Sequence, residues 1–504
     1  VRSNRLAPST LYEGDDSYDK EPALSWTKIK RPITQNIGLN EVPVPHRKAS
    51  ANLHKYLTLL CLEFRDIYSR RLRKEPALLE PFHLDIDVEQ WHNPKNRGPP
   101  RLQTDEKQKV IRRETEGMLE LNMIRPSQAT EWSQVHLVLK KLLQLKHDLE
   151  ESFPELKGNH LGPPSQDWRF CVDYRNANAA SPSLGWPLPN IGQTLQRIGA
   201  LKPKYFAKFD MTKGYFQCPI SKASQKYTAF ITFMGLYEWQ RLPMGLKGAG
   251  PYFQSEVATK VLAGYLYIIC EQYLDDIISF AKTEEKLIEN LRKLFTRFRQ
   301  YKITLNPDKC ELGNTEIEYT GHLIDANGLS FTEDKLQGVR AFPLPYTHKE
   351  MKSFLGLINY FRDHVRNLST LVYPLQRLID GYTTKSRNKP IAYTAANEAL
   401  FEEIKTLVSR CQKLYFLDDV SPIFLETDAS DYGIGGYLYQ VIDGVQHPIM
   451  FLSKSLTKQQ QRWSVNEKEC YAIVQSFEKM EHLTKDRFFT LRTDHENLTR
   501  TYST

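Results

Sequence analysis

What the chain lacks narrows its possibilities first. It has no long hydrophobic run: the most apolar stretch, residues 261–270, is about half the roughly 20 residues that a membrane-spanning helix needs, and Glu271, Asp275 and Asp276 follow directly. A soluble chain with no membrane partner is therefore expected. Its seven cysteines (Cys61, Cys171, Cys218, Cys270, Cys310, Cys411, Cys470) are odd in number, widely scattered and without a CxxC pair. Neither a disulfide framework nor a zinc site is indicated, and a reducing compartment is the expected setting. No internal repeat, no opening methionine and no apolar signal segment is present, so the chain reads as an excerpt or processed product of a longer polyprotein. Charge of one sign is only mildly in excess: 68 Lys and Arg against 60 Asp and Glu give +8, which favours a polyanionic partner without identifying one.

At roughly 100 to 200 residues per domain, 504 residues imply three or four domains with substantial cores. Residues 1–80 mix prolines with charges and hold one amphipathic helix, predicted over 53–73 and ending in the basic run Arg70-Arg71-Leu72-Arg73-Lys74. That run is read as a solvated helix face in preference to a nucleic-acid contact. A charged helix over 104–122 is closed by Met123-Ile124-Arg125-Pro126-Ser127, and a strand over 134–140 follows. A polar excursion at 141–167, read as a surface insertion, precedes a strand over 168–174. Strands then alternate with helices to about 325, a helical stretch includes 349–368, and an α/β pattern returns from Ala392, with strands expected at 423–427, 435–440 and 488–492.

The segment Tyr273-Leu274-Asp275-Asp276 lies between apolar runs at 265–270 and 277–280, as two strands joined by a tight acidic turn would. Adjacent side chains on a strand point to opposite faces, so neighbouring carboxylates share a site only where the backbone turns. Two anions held that close repel, which makes sense with a divalent cation between them. A second acidic strand end, Ala207-Lys208-Phe209-Asp210, stands far enough upstream for an intervening helix and hairpin to bring the two together. Two-metal phosphoryl transfer needs such a group, because carboxylates there hold two Mg²⁺ roughly 3.5 to 4 Å apart. Asp210, Asp275 and Asp276 are the candidates; the bland alternative is an exposed hairpin turn, where acidic residues are favoured anyway.

Further pieces stand in order around these acids: Trp168-Arg169-Phe170-Cys171-Val172-Asp173-Tyr174-Arg175, Phe209-Asp210-Met211-Thr212-Lys213-Gly214-Tyr215-Phe216, Leu242-Pro243-Met244-Gly245-Leu246-Lys247-Gly248 and Phe253-Gln254. Together they resemble the reverse transcriptases of gypsy-like LTR retrotransposons, relatives of the retroviral enzymes, over about residues 81–504. The resemblance implies a right-hand polymerase that copies an RNA template into DNA, with two Mg²⁺ or Mn²⁺ ions per active site. It implies catalytic and metal-holding roles for Asp210, Asp275 and Asp276. It puts Tyr215 where an aromatic ring blocks a ribose 2′ hydroxyl, and Arg169 where a planar fork grips the triphosphate. Gln254 and the loop 243–248 fall where the family contacts the new base pair and template, Lys141 near the triphosphate, and Lys309 where a lysine acts as general acid toward pyrophosphate. Tyr319-Thr320-Gly321-His322 resembles the hairpin that grips the primer end. A core tyrosine, a structural arginine and an ordinary surface lysine are the alternatives at 215, 169 and 309. Two departures stand out: Gly250-Pro251 replaces the more usual Ala-Pro, and the insertion at 141–167 separates Lys141 from Trp168 where the family has only a few residues.

Farther on, Leu425-Glu426-Thr427-Asp428-Ala429-Ser430 places an aspartate at the end of an apolar strand, Glu469 is read as beginning a helix with the apolar face Tyr471, Ile473, Val474 and Phe477, and Asp494 closes another strand. Three such elements can converge on one metal pair. The order resembles ribonuclease H, with Asp428, Glu469 and Asp494 as catalytic carboxylates and metal ligands; Glu467 is a rival for Glu469.

The expected fold is thus a multidomain α/β and α+β chain. It comprises an N-terminal extension of unclear role (1–80), fingers and palm (81–327), a helical thumb or connection (328–391) and a C-terminally incomplete ribonuclease H-like domain (392–504). Expected partners are an RNA template, a DNA or RNA primer, an RNA/DNA hybrid and deoxynucleoside triphosphates, with a homodimer or an assembly with other polyprotein products as a further expectation. The expected location is intracellular, in a cytoplasmic particle or the nucleus. An RNA-dependent RNA polymerase, a non-catalytic nucleic-acid-binding subunit and a decayed element copy are the rival readings. No Asp-Thr/Ser-Gly protease signature and no integrase zinc pattern is present.

Overall fold

The computed structural model describes residues 42–139, 168–182, 185–383 and 385–495. The insertion at 141–167, Lys141 included, lies outside the described residues.

The central sheet has four antiparallel strands in the order Cys270–Tyr273, Asp276–Ala281, Tyr205–Asp210, Glu311–Asn314. Period-two alternation sends its side chains to two different cores. Ala207, Phe209 and Ile277 pack with Leu291, Phe295 and Phe298 of the helix Glu284–Gln300. Phe206, Ile278 and Phe280 pack with Leu195 and Ile198 of the helix Ile191–Ala200. The longer helix is fixed by Thr283, whose side chain caps Lys286 N, by Glu284 and Glu285 in its first turn and by Arg297 and Arg299 in its last.

The described residues from 42 to 79 belong to this same core. The helix Ala51–Glu63, capped by Ser50, buries Leu53, Leu57, Leu60 and Cys61 in the cluster that holds Phe295. It stops ten residues short of the expected 73, because a 3₁₀ turn at Arg65–Ile67 redirects the chain and Tyr68 bridges Leu305. The basic run is consequently no helix face: Arg70 pairs with Asp308 at 2.7 Å, and the carbonyls of Arg73 and Lys74 accept from the buried Arg241 guanidinium.

A five-stranded sheet, in the stretch where the fingers are expected, runs in the order Ile124–Pro126, Gly235–Trp239, Phe230–Thr232, Ser133–Leu139, Trp168–Asp173. A smaller sheet of Glu316–Tyr319, His322–Asp325, Gly328–Ser330 and Leu414–Tyr415 leads into a helical layer. That layer contains Glu333–Arg340, His348–Asn359, Leu368–Arg377 and also Ala395–Ser409, whose Phe401, Ile404 and Val408 share one core with Phe354 and Leu375. The domain boundary expected at 392 therefore falls inside this layer, and the helix 395–409 packs with what precedes it.

The last sheet runs Val445–Ser455, Gly433–Ile442, Ile423–Ala429, Phe489–Thr493, the final pair parallel and the others antiparallel. The strand 445–455, which the sequence reading did not anticipate, closes a hairpin through Asp443-Gly444, both at positive φ. The helix Val465–Thr484 covers one face, and the segment around Leu368–Arg377 approaches the other through Gly433 and Gly435.

Candidate active sites

Asp210 ends its strand directly opposite Asp276, which opens the next one. Tyr273 pairs with Asp276, leaving Leu274 and Asp275 as a two-residue turn with Leu274 at φ 53°. The turn thus does what the sequence reading required: it frees Asp275 from strand alternation and leaves it beside the Asp210–Asp276 pair. The electrostatics agree. The Asp276 carboxyl is pushed up by burial, with Asp275 and Asp210 adding to the rise and Lys208 and Lys309 opposing it. Lys309 Nζ lies 3.2 Å from Asp210 Oδ2. Among the described residues no three His, Cys, Asp or Glu side chains form a ready metal cage. The donor chemistry nonetheless fits Mg²⁺ or Mn²⁺: all-oxygen carboxylates, with mutual repulsion already raising one of them.

Tyr215 stacks on Phe253 with ring centroids 5.0 Å apart, and its hydroxyl is raised by burial and then by Asp275. Gln254 corrects an expectation. It is 2% exposed, its Oε1 accepts from Leu274 N at 2.7 Å and its Nε2 donates to Gln272 O at 3.4 Å. Its amide therefore braces the acidic turn from behind and faces no template. Arg169 is exposed on the strand Trp168–Asp173 beside Val138 and has no ion-pair partner among the described residues.

The second cluster forms where three elements meet. Thr427 and Thr493 are in parallel register, so Asp428 and Asp494 follow side by side at the ends of their strands. Glu469 lies in the second turn of the helix Val465–Thr484, not at its start; the fully buried face is Ala472, Ser476, Met480 and Leu483, with the expected Tyr471 and Phe477 packed partly buried against the same core and Val474 exposed. Glu469 Oε1 accepts from Ala429 N at 3.1 Å, while Oε2 is buried without a partner among the described residues. Burial raises the Glu469 carboxyl, and Asp494 and Asp428 raise it further. An orphaned oxygen facing two more carboxylates fits a bound cation. Glu467 is spoken for: it completes a capping box with Ser464, accepting from Ser464 N at 2.7 Å. One contributor escaped the sequence reading: Asn367, from the helical layer, donates to Asp428 Oδ2 at 3.3 Å.

Residues 156–324 match the family model described as reverse transcriptase (RNA-dependent DNA polymerase), and residues 418–504 the one described as the RNase H-like domain found in reverse transcriptase. The chain carries a reverse transcriptase domain followed by a ribonuclease H-like domain, of the kind found in LTR-retrotransposon Pol polyproteins. Among curated Drosophila melanogaster proteins it is 30% identical over 399 residues to the retrovirus-related Pol polyprotein from transposon 297, covering 79% of this chain and 35% of that one. It is 29% identical over 395 residues to the polyprotein from transposon opus (77% and 37%) and 28% identical over 346 residues to that from transposon gypsy (67% and 33%). The chain thus spans about a third of the length of these relatives. Among solved structures, a foamy viral protease-reverse transcriptase in complex with double-stranded DNA superposes with a TM-score of 0.73 at 20% identity, covering 94% of this chain and 79% of that one. The same viral protein with an RNA/DNA hybrid gives 0.69 at 21% identity, covering 92% and 58%. The fold is that of the expected right-hand polymerase with its ribonuclease H-like appendage. Within the reverse transcriptase domain the acids Asp210, Asp275 and Asp276 converge, Tyr215 and Lys309 stand next to them, and Gln254 supports them from inside.

Proposed function

We propose that this chain adds deoxynucleotides to a primer 3′ end along an RNA template. The observation that carries the reading is the register of Asp210 with Asp276 across one strand pair, with Asp275 at the adjoining turn. Two Mg²⁺ or Mn²⁺ ions held by these carboxylates would activate the primer hydroxyl and neutralise the triphosphate. Tyr215, stacked on Phe253 beside the turn, would exclude a ribose 2′ hydroxyl, and the stack supports that reading. Lys309, beside Asp210, would give a proton to the departing pyrophosphate, and Arg169, exposed and without an ion-pair partner among the described residues, would bind triphosphate oxygens. The cluster Asp428, Glu469 and Asp494 suits hydrolysis of the RNA strand of an RNA/DNA hybrid by the same two-ion chemistry.

The test is primer extension on RNA and DNA templates with deoxy- and ribonucleotides, comparing the chain with its Asp275→Asn, Asp276→Asn variant. Wild type is expected to make DNA, and the variant to bind primer–template without extending it. Equal extension by both would overturn the reading. Binding without extension by wild type would favour a non-catalytic nucleic-acid-binding subunit.

A further inference from the structure

The hairpin Tyr319-Thr320-Gly321-His322 is a two-residue turn, Thr320 at φ 46° and Gly321 at φ 85°, between strands paired from Tyr319 to His322. Carbonyls at such a tip ordinarily face water. Here both are taken by side chains of the helical layer. Tyr360 Oη, just past the helix His348–Asn359, donates to Thr320 O at 3.2 Å, and Lys335 Nζ, from the helix Glu333–Arg340, donates to Gly321 O. A Cβ at residue 321 would push both donors away, and the positive φ favours glycine there. The turn's His322 ring is packed between Phe331 and Tyr360, at centroid distances of 5.2 and 5.4 Å.

The same hairpin is tied to the acids from its other side. Lys208, two residues before Asp210 on the central sheet, donates to Glu318 O at 3.0 Å and ion-pairs with Glu311 at 3.1 Å, while its charge acts on Asp276. The Glu318 carboxylate in turn lies 3.4 Å from Lys335 Nζ. One residue of the hairpin strand is therefore held by a lysine of the acid sheet through its carbonyl and by a lysine of the helical layer through its side chain.

We infer that Lys335 and Tyr360 are positioning residues that lock the primer-end hairpin to the helical layer and fix its distance from Asp210, Asp275 and Asp276. This rests on the polymerase reading above. Without the two donors the hairpin keeps its fold but is no longer held against the layer. The primer terminus is then placed less often in reach of the acids, whereas the nucleotide-binding groups Tyr215 and Arg169 are untouched.

Steady-state extension of a DNA primer on an RNA template by the full chain tests this, with Tyr360→Phe, Lys335→Met and the double variant. Tyr360→Phe retains the ring against His322 and Phe331 and loses only the hydroxyl, so it remains folded. The expected result is a primer–template KM raised about fivefold for each lost hydrogen bond, shorter products per binding event under a heparin trap, and an unchanged nucleotide KM at saturating primer–template. Lys335→Arg should restore most of the loss. A double variant equal to wild type in primer–template KM and product length would overturn the inference. So would a nucleotide KM that rises, and a thermal midpoint that falls, together with the primer effects, the mark of general misfolding. A wild-type chain that fails to extend would overturn the polymerase reading and this inference with it, while an active wild type with unaltered variants overturns the inference alone.

Discussion

The two acid clusters reach similar chemistry by different construction. In the first, two acids share one hairpin and the third faces them in register across the adjacent strand, so backbone pairing alone fixes their separation. In the second, the acids come from an antiparallel strand, a helix and a parallel strand, and Asp428 is also held by Asn367 from another layer. Cations stand beside the first, Lys208 and Lys309 offsetting the repulsion on Asp276. Among the described residues the second has an orphaned carboxylate oxygen on Glu469. A cluster made by register keeps its geometry through local hydrogen bonds. One made by convergence depends on everything that packs the three elements together.

The sharpest way to break this contrast is at the acids themselves. The Asp275→Asn, Asp276→Asn variant should lose at least about a thousandfold in polymerisation rate while its thermal midpoint stays the same or rises, because the turn needs no carboxylate to form. A matching loss of stability would show that register alone does not hold the site. Next comes the brace. Gln254→Ala strips the partner from the part-buried Leu274 N–H, which costs about 0.5 to 1.5 kcal/mol, and should slow extension roughly tenfold with primer–template affinity retained. A direct template contact at residue 254 would instead appear as weakened template binding.

This comparison also explains what the sequence revealed. Asp210, Asp275 and Asp276 were legible because strand alternation and a tight turn are short-range patterns, and the same rules recovered the strands carrying Asp428 and Asp494. The inward orientation of Gln254 was not legible, since helical periodicity says which residues share a face but not what that face meets. Residues 395–409 were grouped with the domain that follows them, although as a helix they pack with the layer before it, for the same reason. The choice of Glu469 over Glu467 had a readable signal in Ser464-Val465-Asn466-Glu467, a capping box that commits Glu467 to the helix start. The strand 445–455 was hidden by Pro448, which is tolerated because this is an edge strand with an irregularity opposite Leu438/Tyr439.

In the second cluster the raised carboxyl makes a pH prediction. A carboxyl whose pKa rises on folding holds its proton more tightly when folded. That contribution to stability is present at low pH and is lost as pH climbs from the ordinary glutamate value of 4.5 toward the raised one. In chelator, Glu469→Gln should therefore melt higher than wild type at pH 7, with the difference shrinking toward pH 4, and should abolish cleavage of an RNA/DNA hybrid wherever wild type shows it. Glu467→Gln, which can still complete the capping box, should melt close to wild type at pH 7 and leave cleavage intact. The opposite ranking would return Glu467 to candidacy.

The smallest effect probes the borrowed contact. Gly435 pairs with Asp428 across the sheet, and a Cβ there would overlap the Asn367 side-chain oxygen. Asn367 cannot yield by moving its backbone, because it sits at φ 52° at the start of the helix Leu368–Arg377, whose Ser369 N is bonded to Ser453 Oγ at 2.6 Å. Its amide must swing away and release Asp428. Gly435→Ala should therefore cost about 1 to 2 kcal/mol in stability, with polymerisation at the wild-type rate. Asn367→Gly keeps the left-handed backbone without the amide. In a double-mutant cycle the two changes should be strongly non-additive, Gly435→Ala costing little once residue 367 is glycine. Additive losses would mean that the two residues do not meet, and that the second cluster is as self-contained as the first.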